Sequence, residues 1–175
     1  MIIECVRILD AGTRNGTTGL AVQLAAVPRE SGDSVPATPT IYNEAEHGEA
    51  TRESFPDGAG PFLLINTTTL DQRTPQVRPV QNMKVGVSFR YLYRHKDSEV
   101  ALRTASYTMR ALMRTMAQFI TSSNGTVIAL RTRNQCSLYN LDVLQAGILS
   151  APLDDTPVSW ALTYTATMRD DWANT

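Results

Sequence analysis

The stretch from Met83 to Ile120 constrains the fold more than any other, because an alternating strand runs straight into an amphipathic helix. Met83, Val85, Val87, Phe89, Tyr91 and Tyr93 fall on one side of an extended chain, with Lys84, Ser88, Arg90 and Arg94 on the other. That period of two predicts a strand with one covered face. His95-Lys96 ends the run, and the Asp97 carboxylate is placed to accept from the free amides of a first helical turn. Ser98 and Glu99 then set polar and negative groups at the positive end of the helix dipole. Ala101, Leu102, Ala105, Met109, Leu112, Met113, Met116, Phe119 and Ile120 recur at three- and four-residue steps, with no Pro or Gly between Ser98 and Ile120. A helix of that span is roughly 33 Å long, enough to cross a sheet. Burying each large side chain is worth about 1.5–3 kcal/mol, so the Met-rich stripe reads as the centre of a core rather than as a cofactor pocket.

The remaining elements arrange themselves around this unit. Ile2, Ile3, Val6, Ile8 and Leu9 predict a short helix ending near Gly12, followed by a turn at Arg14-Asn15-Gly16. Thr17 or Thr18 can cap a second short helix through Leu20, Val22, Leu24 and Ala25, which Pro28 stops. Residues 28–61 carry five prolines and little hydrophobic periodicity, and read as a long irregular excursion with a brief strand at Ile41-Tyr42. Phe62–Leu70 is a strand, and Asp71–Gln81 a second irregular link. After the Ser122–Gly125 turn, Thr126–Arg133 reads as a strand, Asn134–Asn140 as a turn or short extension, and Leu144–Leu149 as a weaker strand. Val158, Trp160, Leu162, Tyr164, Ala166 and Met168 alternate with small polar residues in a strong final strand. The order α-α-β-β-α-β-β-β predicts one α+β domain over 1–175: a mostly antiparallel sheet packed against one long helix.

Charge is segregated although the formal total is only -1. Residues 29–61 hold seven acids against Arg29 and Arg52, whereas residues 72–133 hold eleven bases against Asp97 and Glu99. Such a division favours contacts between unlike parts of neighbouring copies or with other charged surfaces. At about 100° per residue, Arg103, Arg110 and Arg114 lie within roughly 20° of one line on the long helix, opposite the Met and Leu stripe, with Tyr107 about 40° to one side. No acid follows Glu99 in that helix to pair with them. The stripe reads either as a solvated face or as a docking surface for an acidic partner, the best candidate being the excursion with Glu44, Glu46, Glu49 and Glu53 on an adjacent copy. Direct DNA contact is the weaker choice at this net charge.

No catalytic constellation stands out: there is no G-x-S-x-G, phosphate-cradling glycine loop, H-x-x-x-H pair or C-x-x-C. Glu44, Glu46, His47 and Glu49 have a metal-binding composition without the spacing of a site, and read as a solvated acidic loop. Asp154-Asp155 and Asp170-Asp171 could in principle bind a divalent cation, but adjacent strand residues point to opposite faces and a doublet rarely supplies two ligands to one ion, so they read as turn and strand-end solubility. His47 and His95 read as surface residues. No cofactor or metal is expected. Cys5 and Cys136 make no disulfide framework, so a reducing compartment is the default. Glu4 and Arg7 interrupt any signal-peptide core, and no apolar run approaches the ~20 residues of a membrane span. A soluble assembly component, not an enzyme, is the expectation.

This organisation resembles the tail terminator (tail completion, or neck) proteins of long-tailed bacteriophages. The resemblance rests on two short N-terminal helices and a loop, then Met83–Tyr91 leading at once into the helix from Asp97 through Phe119, and the terminal strand Ser159–Asp170. It covers most of the chain but includes no signature motif, and the 28–61 excursion and the Pro75–Pro79 link exceed the family's minimal pattern. It implies a structural virion protein, made in the host cytoplasm, that forms a six-membered ring without catalysis. Such a ring caps the tail tube and faces the head-side connector, with DNA at most passing through. Its implied partners are further copies of the chain, the tail tube protein and a head-side neck protein, with no membrane. A head-completion or stopper protein is the nearest alternative. A small metal-dependent α+β enzyme using the Asp pairs, or a monomeric module for a charged ligand, are alternatives from other classes.

Overall fold

The computed structural model describes residues 2–43, 60–71, 80–117, 130–131, 137–150 and 157–171. Helices α1 (Ile2–Thr13) and α2 (Leu20–Ala26) precede strands β1 (Thr40–Asn43), β2 (Phe62–Asp71) and β3 (Val80–Tyr93). Helix α3 (Ser98–Ala117) follows, and then strands β4 (Leu130–Arg131), β5 (Ser137–Ser150) and β6 (Val158–Asp171). The strands form one sheet in the order β1-β2-β3-β6-β5-β4. Every adjacent pair is antiparallel except β1 with β2. This is the α+β architecture that the hydrophobic pattern predicts.

The sheet is built outward from β3 and β6, which pair without a register shift from Val80 opposite Asp171 to Tyr93 opposite Val158. Because both strands alternate strictly, their apolar residues meet: Val85 faces Ala166, Val87 faces Tyr164, Phe89 faces Leu162 and Tyr91 faces Trp160. All are buried. Phe89 meets the Tyr164 ring edge-on at 5.9 Å between centroids, and Tyr91 stacks on Trp160 at 5.1 Å and 12°. Leu63 and Ile65 of β2 extend the same face, which joins residues of all three helices in one core cluster. Leu64 and Leu92, on the other side of the sheet, are also buried but lie outside that cluster. The second face of the central strand is therefore less wet than its polar residues suggest, with Ser88 buried beside exposed Lys84.

Helix α3 starts where expected. Asp97 Oδ1 accepts from Glu99 N at 3.0 Å and Val100 N at 3.3 Å, and His95 Nδ1 accepts from Asp97 N at 3.0 Å. Its buried face differs from the Met and Leu stripe. Ala101, Ala105, Thr108, Ala111, Leu112, Thr115 and Met116 are covered, whereas Leu102 and Met113 are exposed. Small residues at the contact let the helix backbone come close to the sheet, close enough for Trp160 Nε1–H to donate to the Ala105 carbonyl at 3.0 Å. Thr108 and Thr115 satisfy their hydroxyls within the helix, donating to Thr104 O at 2.8 Å and Ala111 O at 2.9 Å.

Two local expectations are corrected. Residues 137–140 of the expected turn or extension and the weak strand at 144–149 belong to one strand, β5, whose register against β6 shifts between Tyr139 and Asp142, Val143 and Gln145, and Ile148 and Ser150. Each shift breaks the period of two by which a strand is read. Neither Thr17 nor Thr18 caps α2; Gly19 stands at that position without a side-chain cap, and Asn15 Oδ1 accepts from both threonine amides. A side chain at Gly19 would collide with the Asn15 carbonyl, at 2.3 Å from an ideal Cβ. The brief strand expected at Ile41-Tyr42 is present as Thr40–Asn43, paired in parallel with Phe62–Ile65. Residues 44–59, the 72–79 link and most of the 126–133 strand lie outside the described residues.

Two expected outcomes follow from this core. Trp160→Ala should lower unfolding free energy by about 3–5 kcal/mol, read from urea denaturation, because it removes the stacked ring and leaves the Ala105 contact empty. The Tyr164 hydroxyl is buried with no hydrogen-bond partner among the described residues, so Tyr164→Phe should leave stability unchanged or raise it by about 1 kcal/mol. Burial pushes the Tyr91 and Tyr164 phenols above their ordinary 10.0. The folded chain thus keeps protons that the unfolded chain releases, so stability holds below about pH 10 and falls above it. Urea midpoints at rising alkaline pH check the sign, and Tyr164→Phe should flatten the decline.

Candidate interaction surface

The outer side of α3 is bordered by the chain that leaves α2. Pro28 prevents a further helical turn, and residues 28–33 pass along α3 as a strap. The strap turns between Glu30 and Asp33, with Asp33 N donating to Glu30 O at 3.1 Å and Gly32 at φ +95°, the left-handed region that suits glycine. Tyr107 stands at this turn. Its hydroxyl accepts from Glu30 N at 3.1 Å and donates to Asp33 Oδ2 at 2.7 Å. The Glu30 amide favours the phenolate, but donation to Asp33, desolvation and the nearby carboxylates outweigh it and raise the Tyr107 pKa.

Arg103 lies one turn earlier and gathers three acids. Its Nη1 is 3.1 Å from Glu30 Oε2 and 3.3 Å from Asp33 Oδ1, and its Nη2 pairs with Glu99 four residues back in the helix. Two other arginines are engaged at the carboxyl end of α2, where the last carbonyls have no partner within the helix. Arg29 Nη1 donates to Leu24 O at 3.0 Å, Val27 O at 3.2 Å and Ala25 O at 3.3 Å. Arg114 Nη1 donates to Ala26 O at 3.2 Å. Positive charge at a helix carboxyl terminus also complements the macrodipole. Arg110 is exposed and, among the described residues, has neither an ion pair nor a hydrogen bond.

Between strap and helix lies an open groove of about 350 Å³, lined by Pro28, Arg29 and Glu30 on one side and by Leu102, Ser106 and Arg110 on the other. Leu102, which lines it, exposes 39% of its surface, and Val100 and Met113 are exposed elsewhere on α3 at 41% and 37%. One uncommitted guanidinium therefore shares the groove with one uncovered apolar side chain, Leu102. Such a surface suits a segment that carries both a carboxylate and an apolar side chain.

The three arginines singled out by helical spacing do face outward, but they are not equivalent. Arg103 is neutralised by acids from its own chain, Arg114 is held at α2, and Arg110 is left. α3 itself has no acid after Glu99, and the acids that reach Arg103 from outside the helix, Glu30 and Asp33, are not singled out by the sequence, because nothing in their spacing relates them to residues seventy positions away. Glu44, Glu46, Glu49 and Glu53 lie outside the described residues, as do His47 and Asp154-Asp155. His95 is taken up in the turn before α3. Among the described residues, no three His, Cys, Asp or Glu side chains are grouped to hold a metal ion, and no helix is long and apolar enough to cross a membrane. No protein-family model matches the chain, and no curated protein matches it in sequence.

Tyr107→Phe should free the strap, since it deprives Asp33 of a donor and the Glu30 amide of an acceptor. Trypsin should then cut after Arg29 faster than in the parent while the circular dichroism of the helices is unchanged. Equal cleavage would mean that Arg103 alone holds the strap.

Proposed function

We propose that the chain is a structural virion protein that forms a six-membered ring at the tail end or head-tail neck of a long-tailed phage, capping the tail tube and joining it to the head connector. The observation that carries this reading is the way β3, α3 and β6 form one unit. The central strand passes within a few residues into the long helix, and the closing strand lies along the full length of that central strand. The resemblance to tail terminator proteins rests on the same order of elements, with two short helices ahead of them.

Physical considerations support a ring. A head-to-tail contact joins unlike surfaces of successive copies and closes into a ring when the rotation permits. The chain divides its charge in a way that provides unlike surfaces, acidic over 29–61 and basic over 72–133. The partners in this reading are further copies, the tail tube protein and a head-side neck protein. DNA only passes through the ring, and the reading assigns no reaction and no cofactor. The protein is made in the host cytoplasm and ends in the virion.

Light scattering at rising concentration, with negative-stain electron microscopy of the same samples, tests the proposal. Six-fold rings are the expected outcome, alone or with tail tubes added. A chain that stays monomeric at high concentration and with tail components present overturns it. Binding of the ring to tube ends, rather than to isolated connectors, separates the cap from a stopper.

A further inference from the structure

We infer that the α3 groove is the receiving half of the contact between successive copies, and that the segment 53–57 of a second copy occupies it through Phe55. The inference rests on the ring reading and names the surface that would build the ring. It begins from the accounting of charge on α3. Of the cations bordering the groove, Arg103 already meets Glu30, Asp33 and Glu99, and Arg29 is spent on the α2 carbonyls. Among the described residues Arg110 is the groove arginine with neither an ion pair nor a hydrogen bond, whereas Arg29 is anchored through Nη1, and Arg110 shares the groove lining with the exposed Leu102. An incoming acid is directed to the Arg110 end, because the Arg103 end already holds three carboxylates.

The chemistry required of an occupant is a carboxylate close to one large apolar side chain, and residues 44–59 supply it. That stretch contains five acids against Arg52, and Phe55 is its one large apolar residue. Glu53 and Asp57 stand two positions to either side of Phe55. In an extended chain, residues two apart share a side at a separation of about 6.5 Å. On α3, Ser106 and Arg110 are four residues apart on one side of the helix, about 6 Å along the axis. A phenyl ring seated beside Leu102 and Ser106 therefore sets a flanking carboxylate level with Arg110. The groove volume of about 350 Å³ is at the small end of binding pockets, a size suited to a single side chain. The contact is heterologous, groove to segment, which is the kind that closes into a ring.

Charge reversal on each side tests this without relying on one variant. Arg110→Glu changes an exposed side chain, so urea denaturation should show the parent's stability. Its association constant should fall by about tenfold or more, and so should that of the Glu53→Lys, Asp57→Lys double variant. Mixed one to one, the two should recover assembly. Each Glu at position 110 then meets lysines from the neighbouring copy, and each Arg110 meets native acids. Assembly of Arg110→Glu at the parent's level, or a mixture no better than its components, overturns the contact while leaving the ring reading intact. A parent that forms no oligomer overturns both. Phe55→Ala provides the apolar arm: it should weaken association with little change in its salt dependence, and an unaltered association constant counts against the groove.

Discussion

The closeness of α3 to the sheet governs the rest of the molecule, and Trp160 is where that distance is set. The indole lies flat on Tyr91 within the sheet and reaches the helix backbone with its one N–H. This requires a helix face without bulk, which Ala101, Ala105, Ala111 and the internally bonded Thr108 and Thr115 provide. Two large apolar side chains of the helix, Leu102 and Met113, are turned aside to the surface, while Leu112 and Met116 are buried. An apolar surface on α3 is thus a consequence of the close approach of α3 to the core.

The same approach brings the chain after α2 against the helix. The strap turns at Gly32 and offers a backbone amide and two carboxylates to Tyr107 and Arg103, while α2 ends with carbonyls that draw Arg29 and Arg114. Each exposed ion pair here contributes little on its own, and the shared partners make them a network rather than isolated bridges. What the network leaves over is more informative than what it holds. An arginine stripe with three equivalent members would be a diffuse positive surface, whereas one free guanidinium in a groove with the exposed Leu102 is a directional one.

Regularity decides how well each part can be read from residues. β3 and β6 are long, strictly alternating and paired without a shift, so their inward residues are legible from the alternation alone. β5 is as long but slips register three times, and its alternation fails at those points. β1 is short and lies in a proline-bearing segment, where only Ile41-Tyr42 betrays it. The capping of α3 by Asp97 is local and legible; the start of α2 depends on Asn15 and on a glycine that must accommodate a carbonyl, a matter of close approach rather than of residue preference.

By itself, the sequence determines the strand-to-helix unit, the closing strand, the short amino-terminal helices and the outward direction of Arg103, Arg110 and Arg114, because all of these follow from periods of two and 3.6 along a short stretch. Only the tertiary structure decides which of those arginines is free. Glu30 and Asp33 reach Arg103, and the end of α2 reaches Arg114, through contacts between residues 70 to 88 positions apart. Periodicity registers the face on which a side chain lies. It carries no information about which distant carboxylate or carbonyl is packed against that face, since that depends on how tightly the helix can settle on the sheet.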